Sequence, residues 1–407
     1  MVKVFSEIGN LKKVLLHEPG GELENLTPKY LGDLLFDDIP YLPLARREHQ
    51  AFADAFRKEG IEVVYLVDLI SETLDLDIEI KKEFIAKFIK DAKVTSDTLK
   101  NLLTAYLLSF KDTKEMVKKL ISGIKKTELP GYEKRNLTDF VGEYPFLTDP
   151  IPNLYFTRDP FASIGSGVSL NKMYSETRSR ETIFGEYIFK YHPSYKDTPL
   201  YYNRYEDLNI EGGDILVLND KVLLIGVSER THPAAIEKLC KNLFYKNETS
   251  FEVVLALTLP KMRTFMHLDT IFTQVDYDKF TIHNECYEMM RVFSIRKDQE
   301  RPGKLKILEY NKKIDEILSD ALGIKVTMIP CGGRDSVSAD REQWSDGSNT
   351  ICIRPGVVIA YERNYITNEV LRSYGIKVIT IPSSELSRGR GGPRCMSMPL
   401  ERESLRK

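Results

Sequence analysis

The amino-acid sequence predicts an α/β fold that is interrupted by a small all-helical unit. Short β-rich runs and helical stretches recur in the order strand, strand, helix, strand, and the window between Gly60 and Gly123 contains neither glycine nor proline. A repeated ββαβ order is typical either of a parallel-rich α/β sheet or of a radial propeller of such units. The pattern by itself leaves both architectures open.

The first predicted unit lies near the N-terminus. The strand-like run VLLHEPG is followed by ARREHQAFADAFRKEG, in which apolar residues have helical spacing, and then by IEVVYLV. Within the last of these, VVYLV at residues 63–67 has the β-branched and aromatic composition of a strand.

A helical block follows this unit. Its apolar residues form three stripes with helical spacing, within residues 78–89, 99–110 and 116–124. Thr95-Ser96 and Asp112-Thr113 stand where N-caps are expected, and Pro130-Gly131 ends the block. We therefore predict an all-helical insertion over residues 71–135, and one α/β domain formed by residues 1–70 and 136–407.

Further strands are predicted after the insertion. They are DILVL at 214–218, KVLLIGV at 221–227, FEVVLALTL at 251–259, KVTMIP at 325–330, VVIAY at 357–361 and KVITIP at 377–382. Asn219-Asp220 and Pro355-Gly356 each separate a strand-like run from its neighbour, which predicts hairpins at both places.

Composition excludes several classes of function. The chain of 407 residues has 58 Lys and Arg against 60 Asp and Glu, so its net charge of −2 offers no general field for nucleic acid or for anionic lipid. No apolar run approaches the roughly 18 residues of a transmembrane span, and the N-terminus lacks the apolar core of a signal peptide. The five cysteines include no C-x-x-C pair, which argues against a disulfide framework or a metal site and favours the cytoplasm.

Polar residues that could carry chemistry are concentrated in five segments beside strand-like runs. These are NLYFTRDP at 153–160, NIEGGD at 209–214, MHLDT at 266–270, GRD at 333–335 and SRGRGGPRCMSMP at 387–399. Most of these segments, taken singly, have an ordinary structural explanation.

In MHLDT, His267 and Asp269 would share one face of a strand, and a histidine beside a carboxylate can transfer protons. By itself the pair is better explained as a half-buried histidine bonded to an aspartate. In EGGD, Glu211 and Asp214 flank two glycines that permit close approach of another group, although a turn with solvated acids has the same pattern. Asp159 could accept a guanidinium or cap a turn.

Cys395 gives the strongest signal. It follows Gly389, Gly391 and Gly392, and it stands near Arg388, Arg390 and Arg394. A cysteine close to several cations is a candidate for a thiolate of low pKa. Together with one histidine and several carboxylates, such a thiolate suggests nucleophilic attack on a guanidinium, which is the planar cation that carboxylates bind through two parallel hydrogen bonds.

The motifs also occur together in a specific order along the chain. This series is GNLKKVLLHEPGGELENL, LLFDDIPYLPLARREH, PNLYFTRDPFASIG, NIEGGDILVL, GVSERT, FMHLDTIFT and GRGGPRCMSMPL. In this respect the sequence closely resembles the arginine deiminase family of bacteria and mycoplasmas, over essentially its whole length. The resemblance implies an α/β propeller of five ββαβ units, the pentein fold, with a helical insertion.

The resemblance also implies an activity. Members of this family hydrolyse free L-arginine to L-citrulline and ammonia without a metal or an organic cofactor, as the first step of the arginine dihydrolase pathway. It implies a cytoplasmic enzyme that forms a homodimer or a higher homo-oligomer, with no nucleic-acid or membrane partner.

Site residues follow from the matching motifs. The resemblance implies that Cys395 is the nucleophile, that His267 protonates the leaving ammonia and then activates water, and that Glu211 orients His267. Asp159 and Asp269 would each grip the guanidinium.

The amino-acid end of the substrate would be bound by a second set of residues. The resemblance implies that Arg178 and Arg230 bind the carboxylate, that Asn153 and Gly389 contact this end, and that Arg390 is a mobile arginine near the site. The 30–46 stretch, with Asp37 and Asp38, is expected to form part of a lid.

Other functions remain open at this stage. An amidinotransferase would pass the amidino group to an amine, and a methylarginine hydrolase would release an alkylamine. A non-catalytic arginine-binding protein would have no need of Cys395. A cysteine protease would leave the carboxylates unexplained.

Overall fold

Five sheets repeat one pattern of strand pairing in this computed structural model, which describes residues 1–134, 137, 140, 144–260, 265–287 and 289–405. In each sheet a central strand pairs antiparallel with one neighbour and parallel with the other. A helix lies between the central strand and its parallel neighbour in the chain. The repeat is therefore a ββαβ unit, present five times in the described residues.

The first unit combines both ends of the chain. Its strands are Met398–Arg402, Leu11–Leu16 and Glu62–Tyr65, and its helix is Leu42–Lys58. The second unit has strands Phe161–Ile164, Gly167–Leu170 and Leu200–Tyr202, with the helix Thr182–Tyr191. The third has strands Ile215–Val217, Val222–Val227 and Val253–Thr258, with the helix Pro233–Lys241.

The last two units follow the same order. The fourth has strands Phe272–Gln274, Lys279–Ile282 and Thr327–Pro330, with the helix Ile314–Leu322. The fifth has strands Ile351–Arg354, Val357–Tyr361 and Lys377–Ile381, with the helix Tyr365–Ser373. The hairpin of Val292–Lys297 and Leu305–Tyr310 extends the sheet of the third unit.

Contacts connect each unit to the next. The Ser163 hydroxyl in the second unit donates to the Pro399 carbonyl in the first at 2.6 Å, and apolar side chains of the second and third units share one core. The Leu268 N–H beside the fourth unit donates to Asp214 beside the third, and the Gly356 N–H in the fifth donates to Val275 beside the fourth. Contacts also return from the fifth unit to the first. This succession is that of a propeller rather than of one continuous parallel sheet.

Both predicted hairpins are present. Asn219 lies in the turn between the first two strands of the third unit, where its side chain accepts the N–H groups of Lys221 and Val222. Gly356, at φ 72°, lies in the turn between the first two strands of the fifth unit. Because this φ falls in the left-handed region, the turn favours glycine.

The helical block contains one helix more than its three stripes predicted. Its helices are Leu66–Leu74, Ile78–Asp91, Asp97–Leu108 and Thr113–Ser122. The first begins where the strand Glu62–Tyr65 ends, so the predicted strand at 63–67 is too long. Leu66, Ile70 and Leu74 have helical spacing and are fully buried, and this burial overrides the strand-like composition.

The helices share a core with the second unit, in which Phe84 packs against Phe184 and Tyr187. After the last helix, Ile124–Lys125 pairs with Phe146–Thr148 in a small two-stranded sheet. The predicted boundary at residues 135–136 lies outside the described residues, and the division into two domains stays a prediction.

Further α-helices lie at Gly21–Glu24, Leu268–Ile271 and Ser336–Trp344, and 3-10 helices include Pro152–Tyr155, Glu176–Glu181 and Leu386–Gly389. None of the helices in the described ranges combines the length and the apolar character that a membrane crossing requires.

Candidate active site

One cavity of about 360 Å³ brings together eight of the ten predicted site residues. These eight are Asn153, Asp159, Arg178, Arg230, His267, Gly389, Arg390 and Cys395. The other two, Glu211 and Asp269, are completely buried and contact His267 and Cys395 from behind. Seven further residues line the same cavity: Gly32, Leu35, Asp37, Phe156, Glu229, Met266 and Thr270.

The fold explains why residues so distant in the chain converge. In the first four units, a predicted site residue lies just ahead of the first strand. Cys395 precedes Met398–Arg402, and Asp159 precedes Phe161–Ile164. Glu211 and Asp269 stand just ahead of the first strands of the third and fourth units. These strands therefore begin around the cavity, and each contributes one polar group to it.

His267 forms a short hydrogen bond to Glu211. Its Nε2 lies 2.7 Å from Glu211 Oε2, and its Nδ1 lies 3.8 Å from Asp159 Oδ1. Burial opposes the charge on the imidazole, but the carboxylates of Asp159 and Glu211 outweigh it and raise the pKa of His267 to about 9. The pKa of Glu211 is lowered to about 2, because the bond from His267 and the charges of Arg230 and Arg178 outweigh its burial. An imidazolium is therefore the stable form at neutral pH.

Two glycines make room for this pair. A Cβ at Gly213 would lie 2.7 Å from Cγ and Nδ1 of His267, and a Cβ at Gly212 would lie 1.9 Å from the Arg158 carbonyl oxygen. The close approach that EGGD suggested is therefore present. Asp214 of the same motif accepts the Leu268 N–H at 2.8 Å, which fixes the turn that follows His267.

His267 and Asp269 do not share a face of a strand, and that part of the sequence interpretation is wrong. Leu268–Ile271 forms one helical turn, with His267 at its N-cap position. The turn directs His267 toward Glu211 and places Asp269 near Cys395. The segment is helical and not extended because the Thr270 hydroxyl and N–H both donate to the His267 carbonyl oxygen.

Asp159 has one bonded oxygen and one available oxygen. Its Oδ2 accepts Nη1 of Arg178 at 2.7 Å, while Arg178 also makes two bonds of 2.8 Å to Glu181. Its Oδ1 is buried and has no hydrogen-bond partner among the described residues. Since a buried carboxylate oxygen without a partner is costly, this atom is well suited to accept an N–H group of a ligand in the cavity.

Asp269 is held from behind by Arg394. Arg394 Nη1 donates to Asp269 Oδ2 at 2.7 Å, and the remainder of the guanidinium bonds to Glu7 and to the Ile215 carbonyl oxygen. Arg394 is thus engaged by carboxylates and orients Asp269.

The surroundings of Cys395 bear on its ionisation, which the sequence leaves open between a thiolate in the free protein and one formed only when a cationic substrate binds. Its Sγ lies 3.6 and 3.8 Å from the two oxygens of Asp269. Burial, with the charges of Asp269 and Asp159, raises the pKa of the Cys395 thiol well above its ordinary value, and Arg394 offsets this only in part. Arg388, although close in the sequence, instead pairs with Asp38 and Glu385.

The residues predicted to bind the amino-acid end line the cavity in different ways. Asn153 donates its side-chain amide to the Leu34 carbonyl oxygen at 2.8 Å. Arg230 stacks on Tyr174, and Arg390 lies 3.4 Å above the ring of Trp344. Gly389 packs so closely that a Cβ would lie 1.7 Å from the Tyr155 hydroxyl oxygen.

The predicted lid stretch reaches the cavity through Leu35 and Asp37. Leu35 has φ 61°, an uncommon conformation for a residue with a side chain, and Asp37 Oδ2 lies 3.9 Å from Arg390 Nη1. By contrast, the GRD segment does not reach the cavity. Its Asp335 caps the helix Ser336–Trp344 by accepting the Ser338 N–H at 2.7 Å.

Asp159, Glu211 and His267 each offer a potential metal-ligand atom, and these atoms lie within 4.8 Å of one another. In this structure, however, Glu211 is bonded to His267 and Asp159 is bonded to Arg178. The arrangement is therefore ready for proton transfer by the imidazole.

Comparison with known proteins identifies the family. The model of the arginine deiminase family matches residues 32–402. The chain belongs to the arginine deiminase family. Relatives named arginine deiminase include one from Clostridium perfringens (strain SM101 / Type A), 54% identical over 407 residues that span 99% of this chain and 98% of that protein. Another, from Streptococcus gordonii, is 54% identical over 409 residues that span 99% of both chains.

Solved structures of other proteins share the fold of this arginine deiminase family member. Dimethylarginine dimethylaminohydrolase superposes with a TM-score of 0.52 at 15% identity, over 95% of this chain and 99% of that one. SxtG, an amidinotransferase from Microseira wollei, superposes with a TM-score of 0.55 at 13% identity, over 99% and 98%. At these identities the likeness concerns the fold alone, and it confirms the predicted pentein class.

Several residues of the site were missed by sequence reasoning. Glu181 holds Arg178, Glu7 holds Arg394, and Asn349 contacts Cys395 directly. Glu181 lies three residues after Arg178, a helical spacing that could have been noticed. Glu7 and Asn349 carry no local signal, because only the tertiary fold brings them to residues 394 and 395.

Proposed function

We propose that this protein hydrolyses free L-arginine to L-citrulline and ammonia, with Cys395 as the nucleophile. The observation that carries the proposal is the arrangement at the base of the cavity. A thiol and an imidazolium are set beside two carboxylates, Asp159 and Asp269, and Oδ1 of Asp159 accepts no hydrogen bond from any described residue. A guanidinium is the cation whose planar fork matches two such carboxylates.

Binding comes first and prepares the nucleophile. The substrate guanidinium binds between Asp159 and Asp269. There its positive charge offsets the negative charges that help to keep the Cys395 thiol protonated. The thiol then loses its proton to solvent as the cation enters. The active thiolate is in this way formed only in the presence of its substrate.

Attack follows. The Cys395 sulfur forms a bond to the guanidinium carbon, and the tetrahedral adduct carries no net charge. His267, protonated at neutral pH because its pKa is about 9, gives its proton to the departing nitrogen. The C–N bond breaks, ammonia leaves, and a cationic thiouronium remains joined to Cys395.

Water completes the cycle. The neutral His267 takes one proton from a water molecule, whose oxygen bonds to the same carbon. The C–S bond then breaks, the electron pair returns to Cys395, and the hydroxyl proton is released as the carbonyl of citrulline forms. Glu211 stabilises the imidazolium in both half-reactions through its 2.7 Å bond.

Arginines provide the selectivity for a free amino acid. Arg178 and Arg230 line the cavity and can bind an α-carboxylate, with Asn153 and Gly389 beside them. Arg230→Ala should therefore raise KM with little change in kcat. Arg178→Ala should change both constants, because Arg178 also holds Asp159.

The direct test is an assay of purified protein with L-arginine and no added metal, in which citrulline and ammonia are measured together. Equal amounts of both products establish deimination. Ornithine formed only with an amine acceptor would indicate amidino transfer, and alkylamine released from methylarginine would indicate the hydrolase reaction. Cys395→Ala should bind arginine, measured by calorimetry, and form no citrulline. Binding without turnover by the unaltered protein would overturn the proposal.

We also propose that the protein acts in the cytoplasm as a homodimer or a higher homo-oligomer. The five cysteines are free and buried, which suits a reducing compartment. Light scattering after gel filtration tests the oligomer, and a mass equal to that of one chain would contradict it.

A further inference from the structure

The fifth unit also places a polar residue just ahead of its first strand. Asn349 precedes Ile351–Arg354, as Asp159, Asp269 and Cys395 precede the first strands of their own units. It is completely buried, and the proposed reaction has so far given it no part. Asn349 therefore occupies the place in the fifth unit that a predicted site residue occupies in the other four.

The Asn349 carboxamide makes three hydrogen bonds, and two of them are to Cys395. Its Nδ2 donates to Cys395 Sγ, with 3.1 Å between the atoms, and to the Asp269 carbonyl oxygen at 3.0 Å. Its Oδ1 accepts the Cys395 backbone N–H at 3.0 Å. One side chain thus connects the backbone and the sulfur of the nucleophile to the residue that grips the substrate.

The partners fix the orientation of this amide. Rotating it by half a turn would set Oδ1 against the Asp269 carbonyl oxygen and Nδ2 against the Cys395 N–H, so two favourable bonds would become repulsive. Both hydrogens on Nδ2 are used, one for the carbonyl and one for the sulfur. Gly392 permits the approach, because a Cβ there would lie 2.8 Å from Asn349 Oδ1.

The charges around the sulfur show why such a donor matters. The titratable groups that face it are Asp269, Asp159, Asp346, Arg394, and the phenols of Tyr155 and Tyr361. The acids oppose a thiolate, and Arg394 is bonded to Asp269 and Glu7 rather than to the sulfur. Within the described part of the chain, the hydrogen bond donated to Cys395 Sγ comes from Asn349.

We propose that Asn349 is a further catalytic residue, which stabilises the Cys395 thiolate by hydrogen bonding and sets the direction of its attack. This inference rests on the proposed function, since it assumes that Cys395 is the nucleophile. Asn349 forms and breaks no covalent bond. Its N–H donates more strongly as the sulfur gains negative charge on deprotonation, and again when the C–S bond breaks.

The test compares the unaltered protein with Asn349→Ala and Asn349→Asp. Alkylation of Cys395 by iodoacetamide is followed by mass spectrometry of the Cys395 peptide as a function of pH. Loss of a hydrogen bond to a charged acceptor should move the midpoint of alkylation upward by about one pH unit in Asn349→Ala. Asn349→Asp, which has nearly the same shape, should move it further, because it adds a negative charge.

Steady-state kinetics form the second readout. Asn349→Ala should lower kcat/KM for L-arginine roughly 10- to 100-fold at neutral pH. The loss should diminish as the pH rises, because the thiolate then forms without assistance. Ser348→Ala is the matched control, since Ser348 is equally buried in the same loop and its side chain makes no hydrogen bond to Cys395. It should keep the midpoint of the unaltered protein.

The outcomes distinguish a catalytic role of Asn349 from a packing role, and both from a failure of the proposed function. Variants that lose activity while the alkylation midpoint stays unchanged would show a packing role only and overturn the inference. Should Asn349→Ala fail to fold, as judged by its circular dichroism, Asn349→Ser takes its place with the same expected upward shift, and an unchanged midpoint overturns the inference. An unaltered protein that forms no citrulline overturns the proposed function itself, whatever the alkylation profiles show.

Discussion

At the scale of single residues, the site is governed by a balance of buried charges. The carboxylates raise the pKa of His267 to about 9, and burial together with the carboxylates raises the pKa of Cys395 well above its ordinary value. The resting pair is therefore imidazolium and thiol, the reverse of what a nucleophile and a base would need in isolation. A cationic substrate changes this balance, so the same carboxylates that bind it also control when the sulfur reacts.

Glu211→Gln should narrow the alkaline range of activity. Removing the charge of Glu211 lowers the pKa of His267. His267 then loses its proton at a lower pH, so at alkaline pH less of it is able to protonate the leaving ammonia. The falling limb of kcat/KM against pH, which reports the substrate-free protein, should move down by about one to two units from the pH of about 9 that the pKa of His267 predicts. Profiles of kcat/KM over the alkaline range measure the shift, and an unmoved limb would mean that His267 does not limit activity there.

Asp269→Asn should make Cys395 more reactive while it abolishes deimination. The substitution removes a negative charge 3.6 Å from the sulfur and leaves the positive charge of Arg394 less neutralised, and both effects favour the thiolate. Iodoacetamide should modify Cys395 faster at neutral pH in the variant than in the unaltered protein. Asp276→Asn, at an ion pair with Lys279 away from the cavity, is the control and should behave like the unaltered protein. Slower modification of Asp269→Asn would contradict the assigned cause.

Motifs pointed to residues that the fold brings into one cavity, whereas the ionisation of a residue depends on contacts that motifs do not show. His267, Asp159 and Cys395 line one cavity, as the motifs implied. The ionisation of Cys395 could not be predicted from neighbouring arginines in the sequence, because Arg394 turns to Asp269. Asn349 could not be found at all, since its contact to residue 395 exists only in the folded chain.

At the scale of elements, local signals predicted the starts of two helices from their N-cap residues. Ser96 and Asp112 are N-caps of the helices Asp97–Leu108 and Thr113–Ser122, and their side chains accept the N–H groups of Leu99 and Lys114. The helix Leu66–Leu74 has no side-chain cap and follows a strand without a loop. The start of this helix could therefore not be predicted from the sequence, because only the burial of its apolar face distinguishes it from a longer strand.

Asp112→Ala should destabilise the protein without affecting catalysis. The substitution removes the bond of 2.8 Å to the Lys114 N–H, and such a cap contributes about 1 kcal/mol to the free energy of unfolding. The kinetic constants should not change, since this helix does not line the cavity. Urea denaturation measures the stability, with Lys111→Ala, an exposed neighbour, as the control. Equal stability of both variants would show that the cap contributes nothing.

At the scale of the whole molecule, the units are joined by buried polar contacts as well as by apolar cores. Arg402, at 1% exposure, donates to the Gly9 carbonyl oxygen in the first unit and to the Cys352 carbonyl oxygen in the fifth, each at 2.7 Å. The sequence predicted the repeated ββαβ order but not this junction. Periodicity shows what each unit is, whereas the contacts between units depend on side chains that have no repeat.

Arg402→Met should cost about 2–4 kcal/mol of stability, because it leaves two buried carbonyl groups without their donor. Arg372→Met is the matched control. Arg372 is largely exposed in an i,i+3 pair with Glu369, and its loss should cost less than about 1 kcal/mol. Chemical denaturation compares the two variants. A similar small cost for both would show that the junction between the first and fifth units does not depend on Arg402.

The pairing of Met398–Arg402 with Leu11–Leu16 has a consequence for how the protein is made. A ribosome delivers Leu11–Leu16 before the four other units, and its antiparallel partner Met398–Arg402 only after them. Throughout synthesis the early strand has an open edge, which is a site for mispairing until the late strand arrives. The nascent chain meanwhile holds Asp159, Glu211 and Asp269, the three predicted carboxylates of the site, but not Cys395. It can therefore acquire activity only after the segment that carries Cys395 has been made.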